Sequence, residues 1–260
     1  MSRKGYTRNK FRTAFEFIWR IRNWPTAWAM KIRPRKGALR LLNFRDGLNL
    51  MIREGTGDEA VMHELLFAGG YRRAFSYVSH LKDCVVLDLG ANIGLFSLIA
   101  ARLNPNVQIY AYEPGPENAD LMQINLLSNP GLKDRVNVLR KAVSGFGGKA
   151  QWSFDSDNPG ASGLFHDGSH KLEVELVSLG QVLEETGTRK AFVKMDIEGS
   201  EYDVIRNTPE PVWKQVCGFA FELHDDPSNM ATRADFLARV EALGFRLEKE
   251  DVISYFAHRD

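Results

Sequence analysis

The 260-residue sequence predicts an α/β fold, a mainly parallel sheet with helices on both faces. Two observations carry this. From residue 84 onward, strand-like runs alternate with helical patterns. The runs are also continuously apolar, as strands covered on both faces must be. The composition is globular, 44% hydrophobic and 26% charged, which excludes a wholly disordered or collagen-like chain.

Taken in order, residues 7–23 carry Phe11, Ala14, Phe15, Ile18 and Ile21 at spacings of three and four. That spacing predicts an amphipathic helix stopped by Pro25. Its basic flanks fit an interfacial helix, or a helix packed on the domain with solvated arginines. Residues 38–53 read as two short strands around Asp46-Gly47. Asp58 reads as the cap of a helix running to about Tyr71, with Val61, Leu65 and Leu66 on one face. The buried strands are expected at 84–89, 107–112, 136–143, 191–197 and 216–223. Helices are expected near 94–103, 116–127, 200–207 and 231–243. Two further β-like pieces, 149–154 and 172–179, flank a stretch at 155–170 that is rich in Gly, Ser, Asp and Asn and reads as a long loop. Phe245–Glu250 and Val252–His258 read as a closing hairpin.

The formal charge of +1 conceals a division. Residues 1–40 hold twelve Lys/Arg and one acid, Glu16, whereas the rest holds 22 basic and 32 acidic residues. A basic head on an acidic body points to an anionic partner, or to the two parts neutralising each other. The two cysteines, Cys84 and Cys217, make no disulfide framework, and no Cys/His spacing reads as a zinc site; a reducing, cytoplasmic compartment is expected. No apolar stretch is long enough for a membrane span. Arg20 and Arg22 interrupt any signal-peptide core.

Four motifs carry chemistry. In Val85-Val86-Leu87-Asp88-Leu89-Gly90-Ala91-Asn92-Ile93-Gly94 a strand ends in an acid and a glycine turn opens a helix. Gly90 and Gly94 are expected to let the backbone approach a ligand. The acid disfavours a pyrophosphate and favours a positively charged ligand such as S-adenosylmethionine. Glu113 ends the next strand, 19 residues after Gly94, where an acid accepts hydrogen bonds from ribose hydroxyls. Lys194-Met195-Asp196-Ile197-Glu198-Gly199-Ser200-Glu201 gathers three acids and a lysine at a strand end sharing the Asp88 crevice. Asp196 and Glu198 can orient a substrate hydroxyl or take its proton, while Glu198 and Glu201 also suit a helix N-terminus. His224, in Phe221-Glu222-Leu223-His224, is the best general-base candidate, with a structural loop histidine as the alternative. Asp196, Glu222 and His224 together can gather a divalent cation.

In this order, D-L-G-A-N-I-G, Y-E-P, K-M-D-I-E-G-S-E and F-E-L-H resemble the FkbM family of S-adenosylmethionine-dependent methyltransferases, from about Gly55 to Phe256. The resemblance implies a class I methyltransferase (Rossmann-like) fold, a seven-stranded sheet with a closing antiparallel hairpin. It implies a family domain over 37–260 and leaves 1–36 as a basic amphipathic extension outside it. Asp88, Gly90, Ala91, Asn92 and Gly94 would surround the methionine part of the cofactor, Glu113 the ribose, and Ala142 and Val143 the adenine. Asp196 and Glu198 would face the transferred methyl; apart from the resemblance, His224 or Asp196 is expected to take the hydroxyl proton, with Glu198 orienting the substrate. The implied reaction is O-methylation of a sugar, glycan or natural-product hydroxyl, with magnesium as a candidate second cofactor and the metal ligands unknown. A nucleic-acid substrate is disfavoured by the acidic body and the lack of an N-P-P-Y-like motif. A non-catalytic binding or membrane-recruitment role is disfavoured by the intact Asp88, Gly90, Gly94 and Glu113 set. The basic extension is expected to meet an anionic membrane surface, peripheral at the inner face.

Overall fold

The computed structural model describes residues 17–155, 158–164, 168–228 and 230–259. Residues 7–16 of the helix expected over 7–23 lie outside that set. Residues 17–20 are helical. Pro25 does not end the helical region; it sits in the first turn of a second helix, α1 (Trp24–Ile32). A first turn needs no N–H from that residue, so proline fits there. Ile21, Ala27 and Met30 are buried against the hairpin of β1 (Leu39–Asn43) and β2 (Asn49–Arg53). The turn forms around Asp46-Gly47 as expected, with Leu48 N–H donating to Asp46 Oδ1 at 3.0 Å.

Asp58 caps nothing. It opens α2 (Asp58–His63) as a buried carboxylate that accepts from the Arg53 backbone N–H, Nε and Nη2, each at 2.8 Å. The helix then widens into a π turn at Glu64–Ala68 and ends at Gly69, two residues before Tyr71, which precedes α3 (Arg72–Val78). β3 (Val85–Leu89), α4 (Leu95–Leu103), β4 (Ile109–Tyr112), α5 (Pro116–Leu127) and β5 (Val136–Leu139) then follow in βα succession.

The run expected to continue from 136 to 143 breaks after β5. Arg140 and Lys141 interrupt it, and each pairs with surface acids: Arg140 with Asp120, and Lys141 with Glu185 at 2.7 Å and Glu175 at 3.0 Å. Two adjacent cations cannot continue a strand buried on both faces, so the chain leaves the sheet. β6 (Ala142–Ser144) joins a second, four-stranded sheet with β7 (Gly148–Asp155), β8 (Asn158–Gly163) and β9 (His170–Ser178), in the order β6-β9-β7-β8. β8 lies inside the stretch expected to be loop throughout. Its pairing with β7 uses backbone groups, which Asn-Pro-Gly-Ala-Ser-Gly does not advertise.

After β9 come α6 (Leu179–Thr186), β10 (Ala191–Met195), α7 (Glu201–Asn207), α8 (Glu210–Trp213), β11 (Val216–Glu222), α9 (Arg233–Ala242), β12 (Arg246–Lys249) and β13 (Ser254–His258). The main sheet has seven strands in the order β5-β4-β3-β10-β11-β13-β12, all parallel except β13, which runs antiparallel to both its neighbours. Alternation along each strand divides the core between its faces. Val86, Phe192 and Ala220 pack toward the N-terminal elements, α4 and α5. Leu87, Val193, Phe219 and Phe221 pack toward α6 to α9. Register sets Lys194 directly beside Asp88 on the neighbouring strand. The free thiols of Cys84 and Cys217 meet at 3.4 Å at the opposite end of these strands. Among the described residues, no helix is long and apolar enough to cross a membrane.

Candidate active site

The C-terminal ends of β3, β4 and β10 meet at one cavity, as parallel strands with crossover helices require. Gly90, Asn92, Glu113, Ala142, Val143, Asp196 and Glu198, seven residues anticipated from sequence, line it. Asp88, Ala91 and Gly94 do not.

Asp88 is fully buried. It accepts from Ser97 Oγ at 2.6 Å and has the Lys194 ammonium 3.5 Å away. The glycines serve the fold before any ligand. Gly90 has φ +76°, and a Cβ there would lie 1.8 Å from the carbonyl oxygen of Asp196. Only a bare Cα lets the turns after β3 and β10 touch. A Cβ on Gly94 would strike Met122 of α5 at 2.5 Å. The loop is tied from below by Asn125 of α5, which donates to the Ile93 carbonyl at 3.0 Å and accepts from Met51 N–H of β2 at 2.6 Å.

Glu113 is buried at the cavity wall. Its oxygens accept from Asn92 N–H at 2.8 Å and Gly115 N–H at 2.9 Å. Burial pushes its carboxyl above the ordinary range, against the pull of those donors. Asn92 has φ +51°, and its buried Oδ1 has no hydrogen-bond partner among the described residues. The opposite wall is apolar: Ala142 and Val143 of β6, Trp152 of β7, and Leu164. Trp152 and Leu164 were not anticipated, because nothing in the 149–154 run or the loop signals a second sheet folded against the site.

Lys194 is the buried cation between the carboxylates. Its Nζ donates to the Gly90 carbonyl at 2.6 Å and lies 3.5 Å from both Asp88 and Asp196. Burial works against the ammonium, but Asp196, Asp88 and Glu222 outweigh it and hold its pKa above the ordinary value. The Asp196–Ser200 turn is held by Glu201, which is fully buried and accepts from Ile197 N–H at 2.9 Å and Gly199 N–H at 2.8 Å. Glu198 sits at φ +53°, so this turn is strained where it faces the cavity.

His224 lies beside the cavity and does not line it. Nδ1 is 3.1 Å from Glu201, and Nε2 is 3.6 Å from Glu198 and 4.0 Å from Asp196. Burial alone would lower its pKa; the Glu201 hydrogen bond and the charges of Glu201, Asp196 and Glu198 push it up to about 9. A shift in this direction favours the protonated ring at neutral pH and disfavours His224 as the general base the sequence suggested. Asp196, Glu201 and His224 each bring a ligand-type atom within 4.8 Å of the others. Glu222, expected in that group, is not among them, though its charge is felt by Asp196 and Lys194. It accepts from Tyr71 OH at 3.0 Å, and burial, then Asp196 and Glu64, raise its pKa to about 8. Tyr71 and Glu64 do not line the cavity and stand behind it against Glu222; the sequence marked Tyr71 only as part of the segment before the core and gave Glu64 no role.

A surplus of carboxylates over Lys194 and His224, beside an apolar slot and a carboxylate at the end of β4, fits a cationic ligand carrying a ribose and a flat base. Residues 88–247 match the family model described as the methyltransferase FkbM domain. Methyltransferase sdnD of Sordaria araneosa is 29% identical over 197 residues, which span 64% of this chain and 74% of that protein. The 31-O-demethyl-FK506 methyltransferase FkbM of Streptomyces tacrolimicus is 27% identical over 196 residues, spanning 60% and 74%. Among solved structures, methyltransferase FkbM from Methylobacillus flagellatus KT superposes with a TM-score of 0.48 at 14% identity, over 69% of this chain and 45% of that one.

Proposed function

The chain belongs to the FkbM methyltransferase family, and on that premise we propose that it is an S-adenosylmethionine-dependent O-methyltransferase acting on a hydroxyl of a sugar, glycan or natural product. One observation carries the reading: Glu113, Asp196 and the apolar wall of Ala142, Val143, Trp152 and Leu164 face a single cavity. The oxygen in the printed name of the Streptomyces relative supports an oxygen acceptor.

Bound S-adenosylmethionine supplies an activated methyl group on a positively charged sulfur. The residues around it have separable tasks. Glu113 accepts hydrogen bonds from the ribose hydroxyls. Val143, Ala142, Trp152 and Leu164 exclude water from the adenine. The glycine loop, with Asp88 and Lys194 behind it, fixes the floor. Much of the catalysis is then positioning, because the leaving group needs no further activation. The acceptor hydroxyl does need a base, and Asp196 takes its proton while Glu198 orients it. His224, as imidazolium, balances both carboxylates. A divalent cation held by Asp196, Glu201 and His224 is a second form of the same reading, favoured by their 4.8 Å grouping. It requires the His224 proton to leave first.

The two free thiols fit a reducing, cytoplasmic location, and the basic extension over residues 1–36 fits a peripheral position at the inner membrane face, where lipid-linked glycans offer hydroxyls. The test is single-turnover methyl transfer to nucleotide sugars, lipid-linked glycans and small phenols, with magnesium and after chelation. Transfer to a hydroxyl is expected, slowed at least about 100-fold in Asp196→Asn. A near-normal rate in that variant removes Asp196 as the base. Transfer to nitrogen acceptors alone overturns the O-methylation reading.

A further inference from the structure

The solvent side of α1 is apolar where a surface helix is ordinarily polar. Trp24, Trp28 and Ile32 follow one another at four-residue spacing and are 38%, 46% and 63% exposed, while Ala27 and Met30 on the other side are buried. Trp19, in the preceding helical turn, is 65% exposed. The two remaining tryptophans, Trp152 and Trp213, are buried, so exposed indole is confined to this segment. An indole combines an apolar body with one N–H donor and suits a lipid–water boundary.

The sequence around this stripe is basic, although Lys31 of α1 pairs with Glu59 at 3.8 Å and Arg40 with Glu54 at 2.7 Å. Residues 17–45 contain eight Lys/Arg and no acid. Arg22, Arg33, Arg35 and Lys36 are exposed beside it. A second copy of the chain docking face to face would bring like charges together, whereas an anionic lipid surface offers the complement to the cations and an apolar layer for the aromatics.

We propose that this face docks on an anionic bilayer, with Trp19, Trp24, Trp28 and Ile32 entering the headgroup boundary and Arg22, Arg33, Arg35 and Lys36 held against the lipid phosphates. The docking surface gives the peripheral location proposed above its residues. Its readout is binding and not turnover, so its failure is told apart from a failure of methyl transfer.

Co-sedimentation of the full chain with phosphatidylcholine vesicles, alone or with about one-third phosphatidylglycerol, tests it. Binding is expected only to the anionic vesicles, with tryptophan emission shifted to the blue and affinity falling as salt rises. Trp24→Ser/Trp28→Ser/Ile32→Ser should weaken it at least about tenfold. Arg33→Gln/Arg35→Gln/Lys36→Gln should weaken it comparably, and it keeps the test decisive if the apolar variant melts early. Three results overturn the proposal: no sedimentation of the full chain, equal binding to both vesicle types, or wild-type binding by both variants. Self-association of the full chain that the apolar variant abolishes would instead assign the face to a second copy. Binding seen only after removal of residues 1–16 would assign it to the chain's own N-terminal segment.

Discussion

Lys194 holds two buried or half-buried carboxylates and a carbonyl at once, and its position next to Asp88 follows directly from the parallel register of β3 and β10. Removing its charge leaves Asp88 buried beside Asp196 with no cation between them. Lys194→Met should therefore lower stability by about 3 kcal/mol or more in urea unfolding. A loss below about 1 kcal/mol would mean that the ion pair is not what holds these strand ends together. His224 makes a pH-dependent prediction. Its pKa in the fold, about 9, lies above its ordinary 6.5. The stability it contributes is thus fully present below about pH 6.5 and is lost as pH rises through 9. The wild type should exceed His224→Gln by up to about 3 kcal/mol at pH 6 and by little at pH 10. An imidazole that titrates near its ordinary value by NMR would contradict the carboxylate cage drawn around it.

At the scale of elements, two turns and one added sheet make the site. The turns after β3 and β10 are in contact only because residue 90 has no side chain, so Gly90→Ala should cost at least about 3 kcal/mol and abolish cofactor binding together with native-like melting. The small sheet supplies Trp152 as a wall, so Trp152→Phe should retain S-adenosylmethionine binding, whereas Trp152→Ala should weaken it about tenfold in calorimetry. Equal affinity in both variants would detach the sheet from the site. These elements differ in how far they were legible. The Asp88 loop and Glu113 could be read because one strand, one helix and one more strand fix their spacing. Ala142 and Val143 reach the cavity as the sequence implied, but by a different route, since Arg140 and Lys141 divert the chain into another sheet. Glu222 and His224 are two residues apart and look like one face of a strand, yet β11 ends at Glu222 and the two side chains part. Trp152, Glu64 and Tyr71 arrive through tertiary packing that no local pattern announces.

Across the whole molecule, the near-zero net charge divides between a basic N-terminal region and an acidic body. Several carboxylates of the acidic body, Asp88, Asp196, Glu198 and Glu201, gather at the strand ends around Lys194 and His224. In the N-terminal region, Arg22, Arg33, Arg35 and Lys36 are exposed along the same stretch as Trp24, Trp28 and Ile32. The described part of that region, from Phe17 onward, is packed on the hairpin through Ile21, Ala27 and Met30, with Phe17 stacked on Phe67 at 4.5 Å. Residues 17–32 are thereby fixed to the domain that carries the cavity. A cavity that binds S-adenosylmethionine with Glu113 on the ribose gives a heat of binding in isothermal titration of the full chain. One site per chain is predicted, weakened at least about tenfold by Glu113→Gln. No heat of binding to the wild type, or equal affinity in the variant, would contradict that binding mode.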